Sequence, residues 1–131
     1  MLAGSPKQTF RLSCPTVAGP IASSISSPTF HPADLDSRLS TEVFADHVPG
    51  ARVVKAFNHL PAAVLAEDPR AAGGRRVLFF AGSDASAKAE VAELIARLGF
   101  HGIDLGLVNE GGRAICIPGG GLMSQNLIRL E

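Results

Sequence analysis

Asn58 and His59 are the residues best equipped for chemistry, because they follow directly on a short, mostly apolar run, Arg52 to Phe57. Polar side chains where a strand gives way to a loop are often where ligands are met. An asparagine amide offers both a donor and an acceptor to a carboxamide or a substrate carbonyl. A histidine can donate, accept or act as a general acid near neutral pH. The same pair would also serve as a plain polar turn before the next helix, and position alone weighs the two readings evenly.

Gly82-Ser83-Asp84 is a second candidate, since a helix N-terminus can hold an anion. Asp84 brings its own negative charge there, which stabilises the helix dipole and disfavours phosphate, so capping is the stronger reading. Ile117 to Gly121, IPGGG, leaves room for close backbone approach but lacks the Lys-Ser/Thr of a phosphate loop. It reads as a turn before the final LMSQNLIRL segment. The histidines, His31, His47, His59 and His101, lack the spacing of metal ligands, and no metal site is expected. Ser124 has no nucleophile-elbow context. Cys14 and Cys116 form no paired motif, and Cys116, between two isoleucines, reads as buried and inert. Unpaired thiols fit a reducing compartment, so a cytoplasmic location is expected.

These residues need elements to position them. Ser40 can cap a short helix through STEVFADHV, which Pro49-Gly50 ends. Arg52 to Phe57 reads as a buried parallel strand. A helix from about Pro61 to Glu67 follows, with proline in its first turn. Arg76 to Ala81, RVLFFA, is the clearest strand. After Gly82 a long helix carries Ala87, Val91, Leu94, Ile95 and Leu98 at helical spacing, and Gly99 ends it. His101 to Leu105 is a third strand. This alternation predicts an α/β fold with a partial Rossmann-like parallel sheet, βαβαβ, whose ligands would lie beyond the carboxyl ends of the strands.

With 131 residues, 46% of them hydrophobic, the chain suits one modest domain with a real core. Twelve basic and twelve acidic side chains cancel, so nothing in the charge favours nucleic acid or an anionic membrane. No apolar run approaches the roughly 20 residues that span a bilayer. Residues 1–33 differ: from Ser13 to Pro28 Ser, Pro, Ala and Gly dominate, and Pro15, Pro20 and Pro28 interrupt the short apolar pieces there. That stretch is expected to be a disordered leader, and residues 34–131 the folded domain.

From Val53 to Ala62 the chain reads VVKAFNHLPA, and it continues with the Gly82-to-Asp84 helix start, the LGF-to-IDLG step over Leu98 to Gly106, and the closing IPGGGL. Taken together, these motifs resemble the NADPH-dependent oxidoreductases related to the deazaflavin-coenzyme:NADP reductases. The resemblance runs from about Asp34 to Leu130 and implies a Rossmann-like domain that transfers hydride between NADPH and a deazaflavin, flavin or similar acceptor. It also implies a cofactor-side position for Ala56, Phe57, Asn58, His59, Leu60 and Pro61, with the loop Pro118 to Gly121 approaching the same pocket. No catalytic residue follows from it. The family's first strand, glycine-rich loop, first helix and 2′-phosphate selector would all precede Asp34. Residues 1–30 hold no such pattern, so a truncated copy is expected, with its first strand's outer edge exposed. That edge suggests a homo-oligomer, or the alternative of a non-catalytic binding or structural module; a non-functional fragment is the third reading.

Overall fold

The computed structural model describes residues 2–4, 11–12, 35–116 and 119–130. In chain order its elements are β1 (Leu2–Gly4), β2 (Arg11–Leu12), α1 (Ser40–His47), β3 (Arg52–Ala56), α2 (Ala62–Leu65), β4 (Gly74–Gly82), α3 (Ala85–Arg97), β5 (His101–Asp104), a 3-10 turn (Gly111–Ile115) and β6 (Ile128–Leu130). The main sheet runs β2-β1-β3-β4-β5, and β6 pairs with β4.

β4 is the axis of the fold. Its apolar run from Val77 to Ala81 is buried throughout, as a strand covered on both faces should be. Leu78 and Phe80 face α3, where they meet Val54, Ala56, Ala87, Val91, Ile95 and Phe100. Val77 and Phe79 face the other way, onto Ile115, with Leu105, Leu122 and Met123 around it. Full burial of a side chain such as Leu78 or Ile95 contributes about 1.5–3 kcal/mol.

α3 forms where its apolar spacing predicts. Asp84 accepts the amide of Ala87 at 2.7 Å, and Gly99, at φ +89°, supplies the left-handed residue that ends the helix. β4 and β5 are parallel, with Val77 opposite His101 and Phe80 opposite Asp104, and α3 connects them. This β-α-β unit carries the α/β class that the sequence predicts.

Four local expectations are corrected. β3 runs antiparallel to β4, with Val54 opposite Gly82 and Ala56 opposite Phe80. The expected exposed edge of β3 is covered by β1, where Leu2 stands opposite Val54. α1 is capped from Leu39, whose amide donates to Glu42 at 3.0 Å, one residue earlier than Ser40. α2 is also shorter than expected, and Pro61 precedes it at its N-cap. The leader's predicted disorder falls on residues mostly outside the described ones; its described pieces are the two short strands.

Candidate functional site

The reversed direction of β3 decides where the predicted residues go. Gly82-Ser83-Asp84 and Gly106 meet at the carboxyl end of β4, where the Gly82 amide donates to the Gly106 carbonyl at 3.0 Å. Asn58 and His59 leave β3 toward the amino-terminal half of β4, at the other end of the sheet. The structure therefore separates the strand-end residues that a parallel sheet would have gathered. The Gly82–Asp84 end is a capping site: Asp84 caps α3 and stands 3.3 Å from Arg52, which also reaches Glu90 at 3.4 Å.

At the end of β3 the backbone is strained. Phe57 holds φ +61°, a left-handed conformation that a bulky side chain rarely adopts and that costs about 1–3 kcal/mol. The turn aims the following residues inward. Asn58 Nδ2 donates to the Ile115 carbonyl at 2.6 Å, while its Oδ1 is buried with no hydrogen-bond partner among the described residues. His59 is only 1% exposed. Its ring lies 4.9 Å from that of Phe79, tilted by 60°, and neither ring nitrogen has a hydrogen bond of ordinary geometry among the described residues. Burial pushes the imidazole pKa below its ordinary value, and the nearby Val77 backbone opposes this only in part. The His59 carbonyl accepts the Ser124 amide at 2.7 Å, and Ser124 is itself in the left-handed region, at φ +63°.

A cavity of about 670 Å³ opens beside this turn, between β3, α2 and the last turn of α3. Ala56, Phe57, Asn58 and Leu60 form one wall; Leu94, Leu98 and Phe100 form the other. Of the six cofactor-side residues predicted, these first four line the cavity. His59 packs behind the wall against Phe79, and Pro61 is exposed and does not line it. The cavity, lined mostly by apolar side chains, suits a mostly apolar group. Its charged lining residue is an acid, Glu67, so it offers no grip for phosphates. The lining thus fits an apolar group and not a phosphate.

Glu67 is held by Arg76, a residue that sequence reading left unassigned. Arg76, 5% exposed, donates to Glu67 at 2.8 Å, to the Val64 carbonyl at 2.7 Å and to Asn126 at 3.1 Å. It ties α2, the cavity floor and the C-terminal segment to β4. A basic residue just before an apolar strand was its only signal.

The glycine loop follows the 3-10 turn, though Pro118 lies outside the described residues. A side chain on Gly120 would strike the Ala114 carbonyl and the Cys116 backbone at 2.5–2.7 Å, so the glycine permits close return of the chain rather than a phosphate cradle. Among the described residues no group of His, Cys, Asp or Glu is placed to hold a metal ion, and no helix is long and apolar enough to cross a membrane.

Fold and site together define a Rossmann-like α/β unit. No protein-family model matches the chain. It is 31% identical to the metalloreductase STEAP3 of Rattus norvegicus over 102 residues, which is 78% of this chain and 20% of that protein. Among solved structures, a hypothetical protein of Sinorhizobium meliloti, SMa0349, is 50% identical with a TM-score of 0.73, over 80% of this chain and 51% of that one. A structure from Arthrobacter sp. FB24, named for an F420-dependent NADP-reductase, is 43% identical over 53% of this chain and 32% of its own, with a TM-score of 0.46. The chain is related to the NADPH-dependent oxidoreductase family that its motifs resemble, and it spans a fifth of the rat relative and about half of the Sinorhizobium protein.

Proposed function

We propose that this chain contributes the ring-side wall of an NADP-binding pocket in an oxidoreductase that passes hydride between NADPH and a deazaflavin, flavin or similar small acceptor. One observation carries the reading. The turn Phe57-Asn58-His59 combines a left-handed aromatic residue, a buried and unpartnered amide oxygen and a buried imidazole beside an apolar cavity. Each of these costs stability, and such costs concentrate where a ligand is positioned.

The nicotinamide, when bound, supplies the hydride, so the work left to these residues is positioning and exclusion of water. Leu60, Leu94 and Phe100 keep the cavity dry. Asn58, held by Ile115, keeps a buried, unpartnered Oδ1 next to the cavity, which a small local opening would offer as an acceptor for an amide N–H of the carboxamide type. His59 packs behind the wall with its ring tilted against Phe79, which fixes the turn, and its burial disfavours a charge near the ring. Phosphate contacts would come from outside the described residues.

Calorimetric titration of the chain with NADPH, beside the Asn58→Leu variant, tests this reading. Saturable binding that weakens about tenfold or more in the variant, equivalent to 1.4 kcal/mol or more, supports it. Absence of binding to the parent chain, or equal binding by both, contradicts it.

A second reading, a non-catalytic module that adds a strand, draws on β5. Its outer edge has no strand partner among the described residues, and Ile103 is 37% exposed there. A monomer at all concentrations in sedimentation would oppose it for self-association.

A further inference from the structure

Alternation along β3 sends Val54 and Ala56 toward α3 and Lys55 to the opposite face, under the 3-10 turn. Lys55 is 4% exposed, a depth at which lysine ordinarily has a carboxylate partner. Among the described residues no ion pair reaches it. Its Nζ instead lies 2.9 Å from Cys116 Sγ. That sulfur also stands 3.3 Å from the Gly112 carbonyl, and Gly120 folds back onto the Cys116 backbone, so the thiol is fixed in place. Cys116 is only half-buried, within reach of a small oxidant. An amine and a thiol held in contact, far apart in sequence and open on one side, are arranged to react with each other once the sulfur is made electrophilic.

We propose that Lys55 and Cys116 form a peroxide-sensitive covalent clasp, a direct Nζ–Sγ bond joining β3 to the 3-10 turn. Hydrogen peroxide oxidises the thiol: the O–O bond breaks, one oxygen stays on sulfur as sulfenic acid, and the other leaves as water. Lys55, having released a proton to solvent, attacks Sγ with its nitrogen lone pair. The S–O bond breaks, the N–S bond forms, and hydroxide departs with a second nitrogen proton as water. Sulfur is oxidised, one peroxide is reduced to two waters, and the neutral amine and thiol together lose two hydrogens. A thiol reductant reverses the bond by attacking sulfur and returning the amine. The clasp would lock the base of the Phe57–His59 turn, because Lys55 is two residues before Phe57 and Ile115 holds Asn58.

The test is peptide mapping by mass spectrometry of the full chain carrying Cys14→Ser, after hydrogen peroxide, so that no Cys14–Cys116 disulfide can mimic the mass loss. The expected product is a peptide pair joined between Lys55 and Cys116, lighter by two hydrogens, no longer cut by trypsin after Lys55 and released by dithiothreitol. Lys55→Arg, which keeps the charge, should abolish it and leave oxygen adducts on Cys116. Oxygen adducts with Lys55 still cleavable in the parent overturn the proposal. Unchanged mass loss in Lys55→Arg overturns it too, and an oxygen-bearing cross-link overturns the direct bond.

Discussion

Asn58 Nδ2 donates to the Ile115 carbonyl at 2.6 Å, joining residues 57 positions apart and fastening the end of β3 to the 3-10 turn on the far side of the sheet. The bond satisfies the amide nitrogen and leaves Oδ1 as the group with work still to do. It also means that the turn and the Cys116 region move together.

Asn58→Ala should therefore cost stability even in the absence of ligand. A buried carbonyl losing its donor costs about 1–3 kcal/mol. Urea denaturation checks this as a lower midpoint at unchanged slope.

At Phe57 the usual order of substitutions should invert. The left-handed backbone, φ +61°, disfavours any Cβ, so Phe57→Gly should be more stable than Phe57→Ala by about 1 kcal/mol. Thermal melts of the two variants decide the matter; if alanine is the more stable, the strained turn is not a feature of the native state.

The pH response follows from the histidines. His59 titrates below its unfolded value of 6.5 because burial disfavours its charged form. His101 is lowered as well, by burial first and then by the charges of Arg129 and Arg75. For a histidine with a depressed folded pKa the unfolded chain binds the proton more readily. Stability is then fully present above pH 6.5 and is lost as pH falls from there toward the folded values. His59→Phe should reduce the slope of stability against pH in that window, and adding His101→Gln should reduce it further. A slope unchanged in both variants would assign the acid response to other groups.

The strength of each sequence signal tracks how local its cause is. RVLFFA gives away β4 because a strand covered on both faces must be apolar throughout, and α3 shows its apolar stripe, its Asp84 cap and its Gly99 stop within one segment. The direction of β3 is set by its neighbour, and a short, mostly apolar run carries no mark of whether that neighbour is parallel. For that reason Asn58 and Gly82 were expected at one end of the sheet and lie at opposite ends. The motif residues Ala56, Phe57, Asn58 and Leu60 do line one cavity, whereas its other wall, Leu94, Leu98 and Phe100, reads in sequence simply as core. Cys116 looked inert between two isoleucines because its partner, Lys55, is 61 residues away.

Arg76 should prove the most sensitive charged residue outside the turn. Arg76→Ala would remove the side-chain donor to Glu67 and to the Val64 carbonyl and loosen α2 from β4. Glu67 is mostly exposed and would be rehydrated, so the cost falls on the lost bonds of Arg76 to the Val64 carbonyl and Asn126, about 1–3 kcal/mol. Hydrogen exchange should show α2 and residues 126–130 opening first in this variant, ahead of α3.

The central claim is that the Phe57–His59 turn is the ring-side wall of a dinucleotide pocket. Backbone amide shifts recorded by nuclear magnetic resonance while NADPH is added test it most directly. The account predicts saturable changes concentrated in Ala56, Phe57, Asn58 and Leu60, spreading to Leu94, Leu98 and Phe100 across the cavity. Changes confined to the Gly82–Asp84 end of the sheet, or none at millimolar NADPH, would contradict it.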